Sequence, residues 1–402
     1  MSTSTKLTFD DLPDDVLYRI GLYLNRDDLF NMMLTCKYNK IIFSNDSIWS
    51  NILLKDYPTS KNTGKEGYKE IHTTRVWVFG NNTESILGLG DCLSRNIPTL
   101  MPKIRVDKIS CGERHTVMRD YFGNLWGFGA NECYQLGFEY KSIYSTPTFM
   151  NFQVKDFSCG LFHTVILNMD DQAMGFGQNH NFQLTYDINK QITLPIYLHK
   201  FDVKITRVKC CMESTYLTTT TGREIRFGIP FKFILNNYIN WLQCDKVSSI
   251  VIYKDNSVKC QGENIKHKLG LPRIQNYDLR KLPNIKAKYV SSGYFHTFFI
   301  DVQDHVLVCG SGHNGQLGFN TCKHIEKPIQ INNIKARKIC CKNNFSMILD
   351  FEGNLWVMGE NMFGQLGIGV NYDVRDMRKL QGFEVKNVKC LDNATIIIAR
   401  KI

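Results

Sequence analysis

The sequence lacks the signals of a membrane or secreted protein. It has no apolar run of about eighteen residues, close to the minimum for a transmembrane helix, and no N-terminal signal pattern. We therefore expect neither a membrane span nor secretion. Hydrophobic content of 43% and charged content of 22% are ordinary for a globular chain. The expected location is intracellular, in the cytoplasm, the nucleus or both, with a host cell as an open alternative to the protein's own cell.

Catalytic motifs are absent as well. The sequence has no nucleophile elbow, no P-loop and no zinc-protease motif, so nothing in it argues for catalysis. One segment, Gly310–Gly315, has the G-x-G-x-x-G spacing of a dinucleotide fingerprint. Gln316-Leu317-Gly318 follows it, where that motif needs the start of a helix. We interpret these glycines as residues of tight turns and expect no cofactor.

What the sequence does contain is a repeat with a period near fifty residues. Its clearest copy runs from Cys111-Gly112 through Phe128-Gly129 to Gln135-Leu136-Gly137. The glycine of the Phe-Gly pair recurs at intervals of 49, 48, 51, 34, 48 and 49 residues, at Gly80, Gly129, Gly177, Gly228, Gly262, Gly310 and Gly359. In most copies a second glycine follows eight residues later. Such a period, with several short strand signals in each copy, is typical of β-propellers.

The two ends of the repeat region complement each other. The first copy lacks the upstream Cys-Gly half, whereas Val388–Cys390 and Thr395–Ile398 match that half near the other end of the sequence. We expect these last strands to complete the first blade and close a ring of seven, which removes exposed sheet edges. The short interval of 34 residues after Gly228 predicts a trimmed or distorted fourth blade.

Cysteine and histidine recur at fixed positions of the repeat. No copy pairs them at C-x-x-C or H-x-x-x-H spacing, and each histidine falls in a different blade, so we expect no metal site. We interpret the histidines as hydrogen-bonded structural residues, and the cysteines as small buried residues and not a disulfide framework. The recurring residues are His115, His163 and His296, with Cys111, Cys159, Cys210, Cys244, Cys341 and Cys390.

The Cys-Gly-x-x-His-Thr, Leu-Trp-x-Phe-Gly and Gln-Leu-Gly segments resemble the regulator of chromosome condensation repeat family, a seven-bladed propeller. The resemblance covers residues 75–402. It implies a mainly β chain, and the N-terminal segment described next adds a small all-α domain in front of the propeller. The predicted structural positions of the repeat are Cys111, Gly112, His115, Gly129, His163, Gly177, His296, Gly310 and Gly359. The repeated Trp77, Trp126 and Trp356 are interpreted as blade packing.

The N-terminal segment shows helical periodicity instead. Three short apolar-periodic stretches, which begin near Leu12, Asp28 and Ile48, predict amphipathic helices, with Pro13 in the first turn of the first helix. Helices this short bury little surface alone and gain stability by docking on a partner or on the propeller. Residues 58–74 are polar and contain glycine, and they predict a linker.

The order Leu12-Pro13, Leu34-Thr35-Cys36-Lys37 and Ile48-Trp49 resembles an F-box over residues 8–57. In that family the helices pack against the Skp adaptor of cullin-based ubiquitin ligases. The resemblance implies a substrate receptor without its own catalysis, whose propeller binds a target protein. The adaptor-binding residues implied by the resemblance are Leu12, Pro13, Val16, Leu17, Ile20, Leu24, Leu29, Leu34 and Trp49. The same side chains could instead hold a helical cap onto the propeller.

Two other functions stay open. Residues 1–60 carry a net charge of −2 and the remainder +13, so the propeller is the basic part and could bind nucleic acid or chromatin. The founding member of the repeat family is an exchange factor for the Ran GTPase. Against that activity, the intervals between repeat glycines leave no room for the long extra wedge that the resemblance would require. A structural scaffold with no ubiquitin role is a third hypothesis, beside the substrate receptor and the exchange factor or chromatin binder.

Overall fold

The computed structural model describes residues 14–24, 28–29, 32–33, 45–56, 73–101, 104–186, 190–199, 203–228, 239–244, 248–272, 279–320 and 323–402. The predicted residues Leu12, Pro13 and Leu34 lie outside this part of the chain. The chain divides into two compact units. One comprises 1–74 together with Tyr121–Gly123, and the other comprises Arg75–Asp120 and Asn124–Ile402.

The first unit contains two described helices, α1 (Asp14–Tyr23) and α2 (Asp46–Asp56). Helix α2 begins at a polar cap, because the Oδ1 of Asn45 accepts a hydrogen bond from the Ser47 amide at 2.8 Å. Apolar side chains from both helices and from the segment between them form one cluster with Tyr121. Its buried members are Leu17, Leu29, Met33, Ile48, Trp49, Ile52 and Tyr121. This cluster holds the short helices together.

The second unit is built from antiparallel strands. The strands are β1 (Arg75–Gly80), β2 (Arg95–Leu100), β3 (Val106–Cys111), β4 (His115–Asp120), β5 (Asn124–Ala130), β6 (Ile143–Cys159), β7 (His163–Asn168), β8 (Ala173–Gly177), β9 (Ile192–Tyr197), β10 (Ile205–Cys211), β11 (Ser214–Thr219) and β12 (Glu224–Gly228). They continue with β13 (Ile239–Cys244), β14 (Ser248–Tyr253), β15 (Ser257–Gly262), β16 (Arg280–Ser292), β17 (His296–Asp301), β18 (His305–Ser311), β19 (His324–Lys342), β20 (Phe345–Asp350), β21 (Leu355–Gly359), β22 (Val374–Lys379), β23 (Phe383–Leu391) and β24 (Ala394–Lys401).

These strands form the seven blades of a propeller in the described residues, each blade an up-and-down meander. The long strands β6, β16 and β19 end one blade and begin the next. The first strand of each blade carries the repeated cysteine position, and first strands of successive blades contact each other, as β3 does with both β6 and β23. The mainly β propeller predicted from the repeat, with a small helical domain before it in the chain, is confirmed.

One blade joins both ends of the propeller sequence. Its sheet order is β2-β1-β24-β23, and β1 pairs with β24 in the register Val76↔Ile398 and Phe79↔Thr395. The blade of β10, β11 and β12 has three strands in the described part of the chain, and β13 begins the next blade at Ile239. This is the blade that ends at Gly228, where the repeat interval shortens.

The repeated Phe-Gly glycine has a steric cause. Gly129 is the last residue but one of the third strand of its blade and has φ +94°, and a Cβ at this position would lie 2.4 Å from the carbonyl oxygen of Arg114. The backbone has to approach this closely because the next amide, that of Ala130, donates to the same oxygen at 2.8 Å. A left-handed φ and contact with a neighbouring carbonyl together permit only glycine here.

Candidate functional site

Each of three blades carries a buried histidine on a matched glycine. The imidazole of His115 lies so close to Gly112 that a Cβ there would be 2.1 Å from Cε1 of the ring. His163 packs in the same way on Gly160, and His296 on Gly293. The Cys-Gly or Ser-Gly pair before each histidine therefore supplies the space for the ring.

The histidines connect neighbouring blades. His115 Nε2 lies 3.1 Å from Oγ1 of Thr164 in the next blade. That hydroxyl donates its own hydrogen to the Gln135 carbonyl at 2.7 Å, so it accepts from the imidazole, and Nε2 carries the ring proton. The distance from His163 Nε2 to Thr215 Oγ1 is 3.1 Å. His296 Nε2 lies 2.7 Å from Ser346 Oγ.

These imidazoles are neutral. All three side chains are fully buried. Burial lowers the pKa of His115 to about 3, with a smaller contribution from the nearby His163. Burial likewise lowers the pKa of His163 and of His296 to about 3. A neutral, fully buried ring that bridges two blades fits a structural position, and in the described residues no group of three or more His, Cys, Asp or Glu could hold a metal ion.

An asparagine that the sequence interpretation did not single out supports the glycine loops. Asn131 lies two residues after Gly129, and its Oδ1 accepts from the Leu136 amide at 2.9 Å. Its Nδ2 donates to the carbonyl oxygens of Phe138 and Tyr140 at 3.1 and 2.8 Å. The signal was present in the sequence, because asparagine stands at this position in several copies: Asn82, Asn131, Asn179, Asn264 and Asn361.

The dinucleotide-like segment has no helix after it. Gly310–Gly315 begins at the end of β18, and Gly315 has φ +83°. The Gly315 amide donates to the Gly312 carbonyl and the Gly318 amide to the Gly315 carbonyl, each at 2.9 Å. These bonds form consecutive tight turns.

The described residues of the helical unit that were predicted to bind an adaptor fall into two groups, one buried and one partly exposed. Leu17, Leu29 and Trp49 are buried in the unit's own core. Val16, Ile20 and Leu24 are partly exposed. Val16 and Ile20 share a face of α1 with Tyr23, since the three are spaced four and three residues apart, and Tyr23 is 87% exposed. This face, Val16-Ile20-Tyr23, is called the open α1 face below.

Large exposed side chains concentrate on one face of the propeller. First and third strands run in the same direction, so the turns that follow them lie on one face, together with the Phe-Gly glycines; we call it the glycine face. Its exposed side chains include Tyr140, Tyr186, Tyr294, Met362 and Tyr372. The turns after the second strands, on the opposite face, expose Met169, Val302 and Phe351 within the described propeller unit.

Family comparisons agree with both units. The regulator of chromosome condensation (RCC1) repeat model matches residues 75–118, 123–167 and 303–349, and a second model of this repeat matches 106–135. The F-box-like model matches residues 9–55. The chain therefore consists of an F-box-like domain followed by a propeller of the RCC1 repeat family, and the resemblance to these two families is confirmed.

Individual relatives match parts of the chain. The protein RCC2 homolog of Xenopus laevis is 32% identical over 247 residues, which cover 61% of this chain and 38% of that protein. The probable E3 ubiquitin-protein ligase HERC3 of Homo sapiens is 40% identical over 65 residues, 15% of this chain and 6% of that protein. The chain thus spans well under half the length of these relatives.

A solved structure shows the same fold. Prp20p of Saccharomyces cerevisiae, described with its binding to Gsp1p and histones, superposes with a TM-score of 0.72 at 15% identity, over 87% of this chain and 94% of that chain. In the described part of this chain, neither helix is long and apolar enough to cross a membrane.

Proposed function

We propose that the chain is a substrate-recognition subunit of a Skp-cullin-F-box type ubiquitin ligase. The observation that carries this proposal is the F-box-like match over residues 9–55 in front of an RCC1-type propeller. The helical domain binds a Skp-like adaptor, and the propeller binds the target protein. The chain itself performs no chemistry: it raises the effective concentration of the target near the ubiquitin-conjugating enzyme.

The open α1 face is the adaptor surface. Val16 and Ile20 belong to the set implied by the F-box resemblance, and Tyr23 extends the same face by one turn. Leu17, Leu29 and Trp49 act indirectly, because they are buried in the unit and hold α1 in place. An aromatic side chain beside partly exposed aliphatic ones is the composition expected at the centre of a protein interface.

The glycine face is the target surface. Its exposed tyrosines offer large, rigid contact area, and interfaces are enriched in such residues. Tyr140 is 68% exposed and Met362 is 61% exposed, each on a loop after a third strand. The blades beneath hold these loops in fixed positions through bonds such as those of Asn131 to Phe138 and Tyr140. A rigid scaffold with variable loops is a common basis for recognition.

The adaptor half is tested by co-purification of the intact chain with a Skp-type adaptor. The Ile20→Asp variant places a charge on the open α1 face and should lose the adaptor while its circular dichroism spectrum is unchanged. The control is Val302→Asp, the same charge on an exposed aliphatic position of the propeller, which should retain the adaptor. Failure of the unmodified chain to bind any Skp-type adaptor contradicts the proposal.

Chromatin binding is the second candidate, and two observations favour it. The residues after position 60 carry a net charge of +13, and Prp20p, which shares the fold, is described with its binding to histones. The expected result is binding to nucleosomes that weakens steeply as salt rises, because neutralised phosphates release counterions. Undetectable binding to DNA and nucleosomes at low salt removes this candidate. Guanine-nucleotide exchange and a purely structural scaffold remain further alternatives.

A further inference from the structure

A serine hydroxyl repeatedly links the first strands of adjacent blades. The amide of Cys159 donates to Ser110 Oγ, that of Cys210 to Ser158 Oγ, and that of Cys341 to Ser291 Oγ, each at 2.9 Å. The bond joins residues about fifty positions apart in sequence, so it recurs with the repeat. At these three junctions the bond joins two uncharged groups, a backbone amide and a serine hydroxyl.

Between β19 and β23 a thiol takes the place of the hydroxyl. Here the amide of Cys390 donates to Sγ of Cys340 at 2.9 Å. The thiol of Cys390 in turn donates to the Cys340 carbonyl oxygen at 3.5 Å. Two sulfur-bearing side chains of adjacent blades therefore meet at this junction, and both residues are partly exposed.

The junction is also positively charged. Lys338 precedes Cys340 by two residues on β19, and its Nζ donates to the neutral amide oxygen of Asn387 at 2.5 Å. The equivalent lysine of another blade, Lys108, has a carboxylate partner in Asp156. Lys389 on β23 makes no ion pair within the described residues. Lys338 and Lys389 thus place positive charge near the Cys340 sulfur without a carboxylate partner in the described residues, which favours the thiolate form of Cys340.

The pKa shifts of Cys340 and of its titratable neighbours agree with this charge distribution. The hydrogen bond from Cys390 and the charges of Lys338 and Lys389 outweigh burial and lower the pKa of Cys340 to about 6. Burial and then the charge of Lys389 lower the pKa of Lys338 to about 7. Burial raises the pKa of the other groups nearby, so they stay protonated: Cys111, Cys341, Cys390 and Tyr289.

We propose that Cys340 is a modification site for hydroperoxides and that Cys390 resolves the oxidised cysteine into a disulfide between the two blades. The Cys340 thiolate attacks the terminal oxygen of the hydroperoxide, the O–O bond breaks, and the alcohol leaves with a proton. The Cys390 sulfur then attacks the sulfenic acid, the S–O bond breaks, and water leaves with the Cys390 proton. Two thiols and one hydroperoxide give a disulfide, an alcohol and water.

The bridge would lie where the ring closes. β23 belongs to the blade that also contains β1, whereas the half of β19 that carries Cys340 begins the blade before it. A covalent link there fixes the last strands of the sequence to the preceding blade. Oxidation therefore stabilises the propeller against opening at this junction, because a cross-link constrains the unfolded chain.

The test treats the reduced full-length protein with hydrogen peroxide, a small hydroperoxide suited to a partly exposed residue, and maps the cysteines by mass spectrometry. Cys92, an exposed cysteine of the same chain, is the internal reference. Cys340 should react roughly tenfold faster than Cys92 at pH 7, since an ordinary thiol is only a few per cent thiolate there. The product should be the Cys340–Cys390 disulfide, with a raised thermal midpoint.

Matched variants separate the two steps. Cys340→Ser introduces the residue that stands at this position in three other blades. The variant should therefore fold normally but form no disulfide. Cys390→Ser should leave a sulfenic acid on Cys340 that dimedone traps, and Lys389→Met should slow its formation. If Cys340 reacts no faster than Cys92, or if dimedone labels nothing in Cys390→Ser, the proposal is wrong.

Discussion

His115 donates from Nε2 to Thr164 Oγ1 in the next blade, 49 residues along the chain and 3.1 Å away. Thr164 is fully buried, so its hydroxyl has no water to replace the imidazole. With the equivalent bonds of His163 and His296, this bond links three pairs of neighbouring blades and gives the propeller contacts that no single repeat contains.

Removal of this hydroxyl should destabilise the propeller. Thr164→Val keeps the shape of the side chain but leaves two buried partners, His115 Nε2 and the Gln135 carbonyl, without their bond. We expect a loss of about 1–3 kcal/mol in the free energy of unfolding, measured in urea. Thr164→Ser keeps the hydroxyl and is the control, with a smaller loss. Equal stability of the Val and Ser variants would show that the bond contributes nothing.

The histidines should make stability depend on pH. Their pKa is lowered from 6.5 to about 3 in the folded protein, so below pH 6.5 the unfolded chain binds protons that the folded protein does not. Stability is therefore fully present above pH 6.5 and is lost as the pH falls from 6.5 toward 3. Each histidine contributes a slope of up to about 1.4 kcal/mol per pH unit. Urea unfolding between pH 7 and 5 measures it.

The pH prediction has its own control. Replacing one histidine by glutamine, as in His163→Gln, removes one titrating group and should reduce the slope by about a third, given three equivalent sites. A slope that is the same in the variant and the unmodified chain would assign the pH dependence to other groups.

Two glycines with left-handed backbones should respond differently to alanine. Gly129 and Gly222 have φ of +94° and +79°, but only Gly129 approaches another backbone, with the Arg114 oxygen 2.4 Å from an added Cβ; nothing lies within 4 Å at Gly222. Gly222→Ala should cost about 1 kcal/mol from φ alone. Gly129→Ala should cost about 3 kcal/mol or more. The two thermal midpoints test this, and equal losses would refute the steric account of the repeat glycine.

The helical unit should be sensitive at its core. Leu17 is fully buried among Leu29, Ile48 and Trp49, so Leu17→Ala should cost about 2–5 kcal/mol and open this small unit. Limited proteolysis of residues 14–56 should become faster in Leu17→Ala and stay unchanged in Ile20→Asp. Rapid proteolysis of Ile20→Asp would mean that the open α1 face is structural and not a binding surface.

The repeat was readable from the sequence because its causes are local. A glycine required by a positive φ, as at Gly129, recurs at a fixed interval whatever surrounds it. The apolar alternation of the strands and the Gln-Leu-Gly turns follow the same register. These local constraints sufficed to predict a mainly β propeller behind a helical domain, which the structure confirms.

Contacts between repeats were harder to predict from the sequence. The partner of His115 lies 49 residues away, and the sequence does not state which side chain of the next blade it meets. The serine position filled by Cys340 gave no signal by itself, since its meaning depends on the Cys390 amide opposite. Periodicity on α1 marked its apolar residues but did not separate buried Leu17 from partly exposed Ile20, because burial depends on the packing of the other helices.

The proposed coupling of an adaptor to a target protein by one chain can be measured by ubiquitin-remnant proteomics. Cells expressing the intact chain are compared with cells expressing Ile20→Asp, altered on the open α1 face, and a Tyr140→Ala, Met362→Ala double variant, altered on the glycine face. We expect a protein whose ubiquitylation rises with the intact chain and with neither variant, and which the Ile20→Asp chain still binds. If no protein depends on both surfaces, the chain is not a substrate receptor.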